Sequence, residues 1–363
     1  MSQRVHNFNP GPAAMPLSVL EELRDNTVVF GKSGMSILEV SHRSKEFEAV
    51  IQSAEARLRR LLNLTDDFAV TFQQGGASLQ FCMVPMNLMT ANKKADYIVT
   101  GHWAKAAVKE AAKLGTVNQV GSTESENFTR LPRTDELKFD PAADYVHMTS
   151  NNTIYGTEWL RPEPEVGSVP LICDASSDFL SRPIPMSKYA LVYAGAQKNA
   201  GPAGVTLVII RKDLLARSQK TLPAMLNYNT HVEKQSLYNT PPCYSIFAVE
   251  LVCKWLENLG GLAAMDKVNE EKASRLYAAI DSSEGYYRCP VAKDSRSRMN
   301  VVFRLGSEEL EGRFTKGATA AGLVGLKGHR SVGGCRASLY NAVSIECVDA
   351  LVQFMKDFQK ANG

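Results

Sequence analysis

Short apolar runs recur through the first two thirds of the chain, each closed by a cluster of polar or small residues. They are Phe68-Ala-Val-Thr-Phe-Gln73, Tyr97-Ile-Val-Thr-Gly-His-Trp103, Tyr145-Val-His-Met-Thr149, Leu171-Ile-Cys-Asp174, Tyr189-Ala-Leu-Val-Tyr193 and Val205-Thr-Leu-Val-Ile-Ile210. Unbroken runs rich in β-branched and aromatic residues predict strands buried on both faces. The second would run out into Trp103. Three other stretches repeat apolar residues at helical spacing instead. They predict helices over residues 45–62 (Phe47, Val50, Ile51, Ala54, Leu58, Leu61), 245–258 (Phe247, Leu251, Trp255, Leu259) and 345–358 (Val348, Leu351, Val352, Met355, Phe358). Most gaps between the strands are long enough for a helix, which argues for an α/β domain with a largely parallel sheet. Its ligand site should lie at the carboxyl ends of the strands.

Gly260-Gly261 ends the 245–258 helix and is the expected hinge into a second, smaller α/β domain, whose clearest strand is Arg298-Met-Asn-Val-Val-Phe-Arg-Leu305. The expected division is 16–259 for the large domain, with 1–15 and 260–363 forming the small one. Asn7-Phe-Asn-Pro-Gly-Pro-Ala-Ala-Met-Pro16 is a Pro/Gly-rich arm.

Composition changes this picture little. Of 363 residues, 44% are hydrophobic and 22% charged, and the scattered net charge of +3 favours neither nucleic acid nor a membrane surface. No run approaches the roughly 18 apolar residues of a membrane span, and the first residues lack the apolar stretch of a signal peptide. The seven cysteines include no Cys-x-x-Cys pair, and Cys173, Cys253 and Cys347 read as small core residues. A reduced, cytoplasmic protein without a metal site is expected.

The candidate chemistry gathers where the strands end. Lys198 sits in Ala194-Gly-Ala-Gln-Lys-Asn-Ala-Gly-Pro-Ala-Gly204, a small-residue turn between two buried strands. Desolvation lowers an ammonium pKa and frees the amine as a nucleophile, the requirement of a Schiff-base lysine. Asp174 stands at a neighbouring strand end. Such a pair suits pyridoxal phosphate, with lysine for the imine and aspartate for the pyridinium nitrogen. Gln74-Gly-Gly-Ala-Ser78 joins a strand to a helix, a turn that aims backbone N–H groups at a phosphate. His42-Arg43 precedes a helix N-terminus, and Arg330 and Arg336 flank a glycine pair beside His329. Arginine's planar fork grips carboxylates and phosphates with two bonds. Taken singly, these features are also those of a solvated lysine, a surface basic pair, a glycine turn or a basic loop.

Together, Asp174-Ala-Ser-Ser-Asp-Phe-Leu-Ser-Arg-Pro183 and Ala194-Gly-Ala-Gln-Lys-Asn-Ala-Gly-Pro202 resemble the phosphoserine aminotransferase family of fold-type I pyridoxal-phosphate enzymes. The resemblance runs from Asn7 to Asn341. It departs at Met15, where leucine is more usual, and at the Gly75-Gly76 turn, which lacks the arginine common in bacterial relatives. It implies catalytic roles for Lys198 and Asp174. Ala77, Ser78, Trp103, Thr153, Gln197, Asn239 and Thr240 would join those two in holding the cofactor, with Trp103 stacked on the pyridine ring. Arg336 would take the substrate's α-carboxylate, and His42, Arg43, His329 and Arg330 its distal anion. Asn239-Thr240 would reach into the neighbouring subunit, making a homodimer with shared active sites. The implied reaction is ping-pong transamination between L-glutamate and 3-phosphohydroxypyruvate, giving 2-oxoglutarate and O-phosphoserine. Whether the keto acid 3-hydroxy-2-oxo-4-phosphobutanoate is also accepted stays open. Rival readings are an alanine–glyoxylate aminotransferase, a cysteine desulfurase and a non-catalytic scaffold. The first two leave the His42-Arg43 and His329-Arg330 cations without a partner, and intact Lys198, Asp174 and Arg336 speak against the third.

Overall fold

The computed structural model describes residues 4–363. Its centre is a seven-stranded sheet whose strands lie in the order Phe68–Gln73, Thr206–Arg211, Leu191–Gly195, Leu171–Asp174, Val146–Thr149, Lys94–Val99 and Thr116–Ser122. Adjacent strands run parallel except around Thr206–Arg211, which is antiparallel to both neighbours. The cause is local. Only residues 196–205 link it to Leu191–Gly195, too few for the helical crossover that a parallel pair requires. The turn that carries Lys198 is that link.

Alternate residues of the central strands face opposite cores, as pleating requires. Leu207 and Ile209 pack with the helices Lys45–Leu61 and Cys243–Asn258. Val208 and Ile210 face the helices Gly76–Leu88 and His102–Ala111. The Lys45–Leu61 helix starts sharply because the Ser44 hydroxyl accepts a bond from the Phe47 amide at 3.4 Å. Glu46 and Glu48 in its first turn and Arg59 and Arg60 in its last complement the helix dipole.

A third core joins Leu276, Ile280, Phe303, Phe314, Val348, Leu351 and Met355 to Phe8 of the N-terminal arm. In this part Asn300–Phe303 pairs antiparallel with Cys335–Ser338, setting Val302 opposite Arg336. The arm is pinned by His6–Asn7, which pairs with Leu323–Val324. After the glycine pair, helix Leu262–Asp281 places Leu262 and Met265 in the first core and Leu276 and Ile280 in the third. One rigid element therefore bridges the sheet domain and the C-terminal part.

Several expectations need correction. The second strand ends at Val99, and Trp103 lies in the first turn of helix His102–Ala111. The edge strand Thr116–Ser122 and the helices Leu17–Val28 and Glu308–Ala320 were not expected. Leu259 caps its helix and is 47% exposed, so it marks no buried face. Trp255, Leu61, Val352 and Phe358 are half-buried at core margins. Cys173 and Cys253 are buried, but Cys347 is half-exposed beside His6, with Sγ to Nδ1 at 3.1 Å. Among the described residues no helix is long and apolar enough to cross a membrane.

Candidate active site

The carboxyl ends of the parallel strands open into a cavity of about 370 Å³, which Arg336 closes from the C-terminal part. Ala77, Ser78, Trp103, Thr153, Asp174, Gln197, Lys198, His329 and Arg336 all line it. The sheet sets their depth. Thr149 pairs with Asp174 and Asp174 with Tyr193, near the end of the strand that leads into the turn bearing Lys198.

Lys198 is half-buried, and its amine donates to Thr153 Oγ1 at 2.8 Å. Burial lowers its pKa to about 8, with Asp174 opposing the shift and Arg336 reinforcing it. The amine is thus neutral in part of the population near neutral pH. Asp174 is only 4% exposed, and its Oδ1 accepts from the Ser176 amide at 3.0 Å. Burial raises its carboxyl pKa, while Ser176 and the Lys198 cation pull it back down. Gly11 of the arm lies against the lysine stem, where an added Cβ would sit 3.3 Å from Lys198 Cγ. Its φ of +136° suits glycine.

At the far wall, Gly75 at φ 87° turns the chain into helix Gly76–Leu88, and a Cβ there would stand 2.6 Å from Leu79 Cβ. No side chain caps this helix. Its first N–H groups, at Gly76, Ala77 and Ser78, are left to an anion, and the helix dipole favours one there. The cavity also holds three buried polar side-chain atoms without a partner, Trp103 Nε1, Thr149 Oγ1 and Arg336 Nε. Buried polar groups are usually completed by the protein, a water or a ligand. A nucleophilic lysine, a buried carboxylate, an uncapped helix N-terminus and a half-buried indole fit pyridoxal phosphate.

Arg336 is 5% exposed and donates from Nη1 to the Thr153 carbonyl at 3.0 Å, while burial lowers its pKa. His329 lies between this cavity and an adjoining one of about 430 Å³, and burial pulls its pKa down. His102 is exposed, with its ring 6.1 Å from that of His329.

Other expected residues lie apart within one chain. His42 and Arg43 line a separate cleft of about 120 Å³ with Glu48 and Glu55. Arg330 and Thr240 are exposed and line neither cavity. Asn239 donates to Gln74 Oε1 at 3.1 Å. Conversely, sequence reasoning passed over Pro10, Gly11, Phe81, Thr149, Asn151, Ser176 and Ser177 as lining residues. Ser176 and Ser177 belong to the motif that begins at Asp174, and that adjacency was the available signal.

The family model of class-V aminotransferases matches residues 5–351, and the chain belongs to that family. Within the family it is 57% identical to the phosphoserine aminotransferase of Desulfosudis oleivorans over the whole of both chains. It is 52% identical to that of Lysinibacillus sphaericus over 99% of each. Among solved structures, phosphoserine aminotransferase from Bacillus circulans subsp. alkalophilus superposes with a TM-score of 0.98 at 52% identity, covering both chains fully. The pyridoxal-phosphate-bound enzyme from Trichomonas vaginalis does so with a TM-score of 0.93 at 41% identity, covering 97% of this chain and 100% of that one.

Proposed function

We propose that the chain catalyses the phosphoserine aminotransferase reaction, moving an amino group between L-glutamate and 3-phosphohydroxypyruvate to give 2-oxoglutarate and O-phospho-L-serine. The observation that carries the chemistry is the desolvated Lys198 beside buried Asp174 at the strand ends, with Arg336 in the same cavity. The specificity rests on full-length identity to enzymes of that name.

Pyridoxal phosphate, when bound, supplies the carbon that carries the amino group and a ring that accepts the electrons left by Cα–H cleavage. Asp174, buried and held by the Ser176 amide, would keep a proton at the ring nitrogen. Ala77, Ser78 and the uncapped helix would hold its phosphate, and Trp103 would supply an aromatic surface for its ring. Lys198 would hold the cofactor through its amine and, once freed, would take the substrate's Cα proton and deliver it to the carbon that keeps the amino group. An amine with pKa about 8 can perform both transfers near neutral pH. Arg336, which lines the cavity and whose buried Nε has no partner, would hold the α-carboxylate.

The distal anion falls to His329 with His42, Arg43 and Arg330. The last three lie away from the cavity within one chain; as the family resemblance implies, a second copy would bring them to it, along with Asn239 and Thr240. The working unit in this reading is a homodimer.

An absorption spectrum of the purified holoenzyme tests the reading. The visible band should be lost with O-phosphoserine and persist with equimolar serine. Equal loss with serine or alanine would overturn the distal-anion assignment. No band even with added pyridoxal phosphate would overturn the enzyme reading itself.

A further inference from the structure

Arg336 and Lys198 hang from different parts of the molecule, the first on the C-terminal strand Cys335–Ser338 and the second on the central-sheet turn. We propose that Lys272 is a positioning residue for the reaction, tying the turn 339–343 so that it grips the segments around Lys198. This rests on the functional reading above.

Lys272 is wholly buried on helix Leu262–Asp281. Its ammonium donates to the carbonyls of Leu339 at 3.0 Å, Tyr340 at 2.9 Å and Val343 at 2.9 Å. Three carbonyls use all three donors of the group. It forms no ion pair with a carboxylate among the described residues, so its hydrogen-bond partners are backbone carbonyls. Burial lowers its pKa to about 7, while the carbonyls favour the protonated form.

The turn so held follows the strand that carries Arg336 and reaches out three ways. The Asn341 amide donates to Asn199 Oδ1 at 2.9 Å, one residue after Lys198. Asn341 Nδ2 donates to the Leu180 carbonyl at 2.9 Å, in the segment that leaves Asp174. Tyr340 Oη donates to the Pro10 carbonyl at 2.8 Å, next to the glycine that lies on the lysine stem. From the helix itself, Asn269 Nδ2 donates to Asn341 Oδ1 and to the Ser181 carbonyl, each at 2.9 Å. Asn199, Asn269, Tyr340 and Asn341 are all buried. An aliphatic side chain could fill the space of Lys272. Only a multiple donor can gather three carbonyls and so fix the turn. No atom of Lys272 borders the cavity, so it acts through Asn341 and Tyr340.

The test compares wild-type holoenzyme with Lys272→Met and Asn199→Ala. The readouts are kcat and KM per cofactor-loaded site, counted from the visible band, and amide hydrogen exchange over residues 195–201 and 339–343. Lys272→Met should keep the band and lose about 10- to 100-fold in kcat, with a much smaller change in KM, as expected for ångström-scale misplacement. Amides in both segments should exchange faster. Asn199→Ala leaves the Lys272 bonds intact and should reproduce part of the kcat loss. Unchanged kcat per loaded site in both variants, whatever the melting temperature, overturns the proposal. If Lys272→Met does not fold, unchanged kcat and exchange in Asn199→Ala overturn it alone. If the wild type responds to another amino donor instead of O-phosphoserine, the functional reading fails, and the same comparison with that donor still decides the role of Lys272. The exchange measurement needs no substrate.

Discussion

Two lysines in this molecule have amines pulled down by burial, Lys198 to about 8 and Lys272 to about 7. Only one is built to react. Lys198 makes one bond, to a hydroxyl that can donate as well as accept, and it faces a cavity with three unpartnered polar atoms. Lys272 gives every N–H to a carbonyl and meets no open space. A lowered pKa therefore marks desolvation, not function. The partners of the amine and its access decide which lysine is a nucleophile and which is a fastener.

The largest expected effect follows from that difference. Lys198→Ala should abolish the visible band of the attached cofactor and lower kcat by at least about 10²- to 10⁴-fold, the usual share of a proton-transferring group. Lys272→Met should keep the band. The comparison fails if Lys198→Ala retains the band, or if both variants lose it while folded, as judged by circular dichroism.

The contrast was half legible in the sequence. Lys198 announces itself because its neighbours are local, with Ala194-Gly-Ala-Gln before it and an apolar strand on either side. Asp174 is legible for the same reason. Lys272 lies in Asn269-Glu-Glu-Lys-Ala-Ser-Arg275, which reads as a polar, solvated helix face. Its burial depends on the turn 339–343, far along the chain, and no local pattern carries that. The sheet shows the same division. Its buried strands stand out as apolar runs, whereas the edge strand Thr116–Ser122 mixes polar with apolar residues, is only partly buried and leaves no such trace. The single antiparallel strand was hidden in a connection length. His42, Arg43 and Arg330 were legible as a motif, yet their distance from Lys198 within one chain was not.

A smaller effect separates the two ends of the path that Lys272 anchors. Arg336 and Lys198 share a cavity but serve different atoms, so weakening Arg336 should act mainly on binding. Arg336→Lys keeps a charge but gives up the planar fork. Losing one charge-assisted bond, about 1.5–3 kcal/mol, should reduce kcat/KM about 10- to 100-fold, largely through KM for the amino donor. The visible band should be untouched. Steady-state kinetics at saturating donor would contradict the division of labour if kcat fell as far as kcat/KM.

The smallest effect lies in pH, and it probes the two amines directly. In the apoprotein, capture of pyridoxal phosphate requires a neutral amine, so its rate follows the deprotonated fraction. For Lys198 at about 8, raising the pH from 7 to 9 should accelerate capture about tenfold and then level off. An unperturbed lysine near 10.4 would show about a hundredfold rise over the same interval and no plateau. Borohydride trapping followed by peptide mapping assigns the captured site. Lys198 should carry the label at every pH. Lys272 should carry none although its amine is pulled lower still, because its protons are held by three carbonyls and no solvent path reaches it. Label at Lys272 in folded protein would show that its carbonyl cage opens. The fastening assigned to it would then be lost, even if Lys198 behaved as expected.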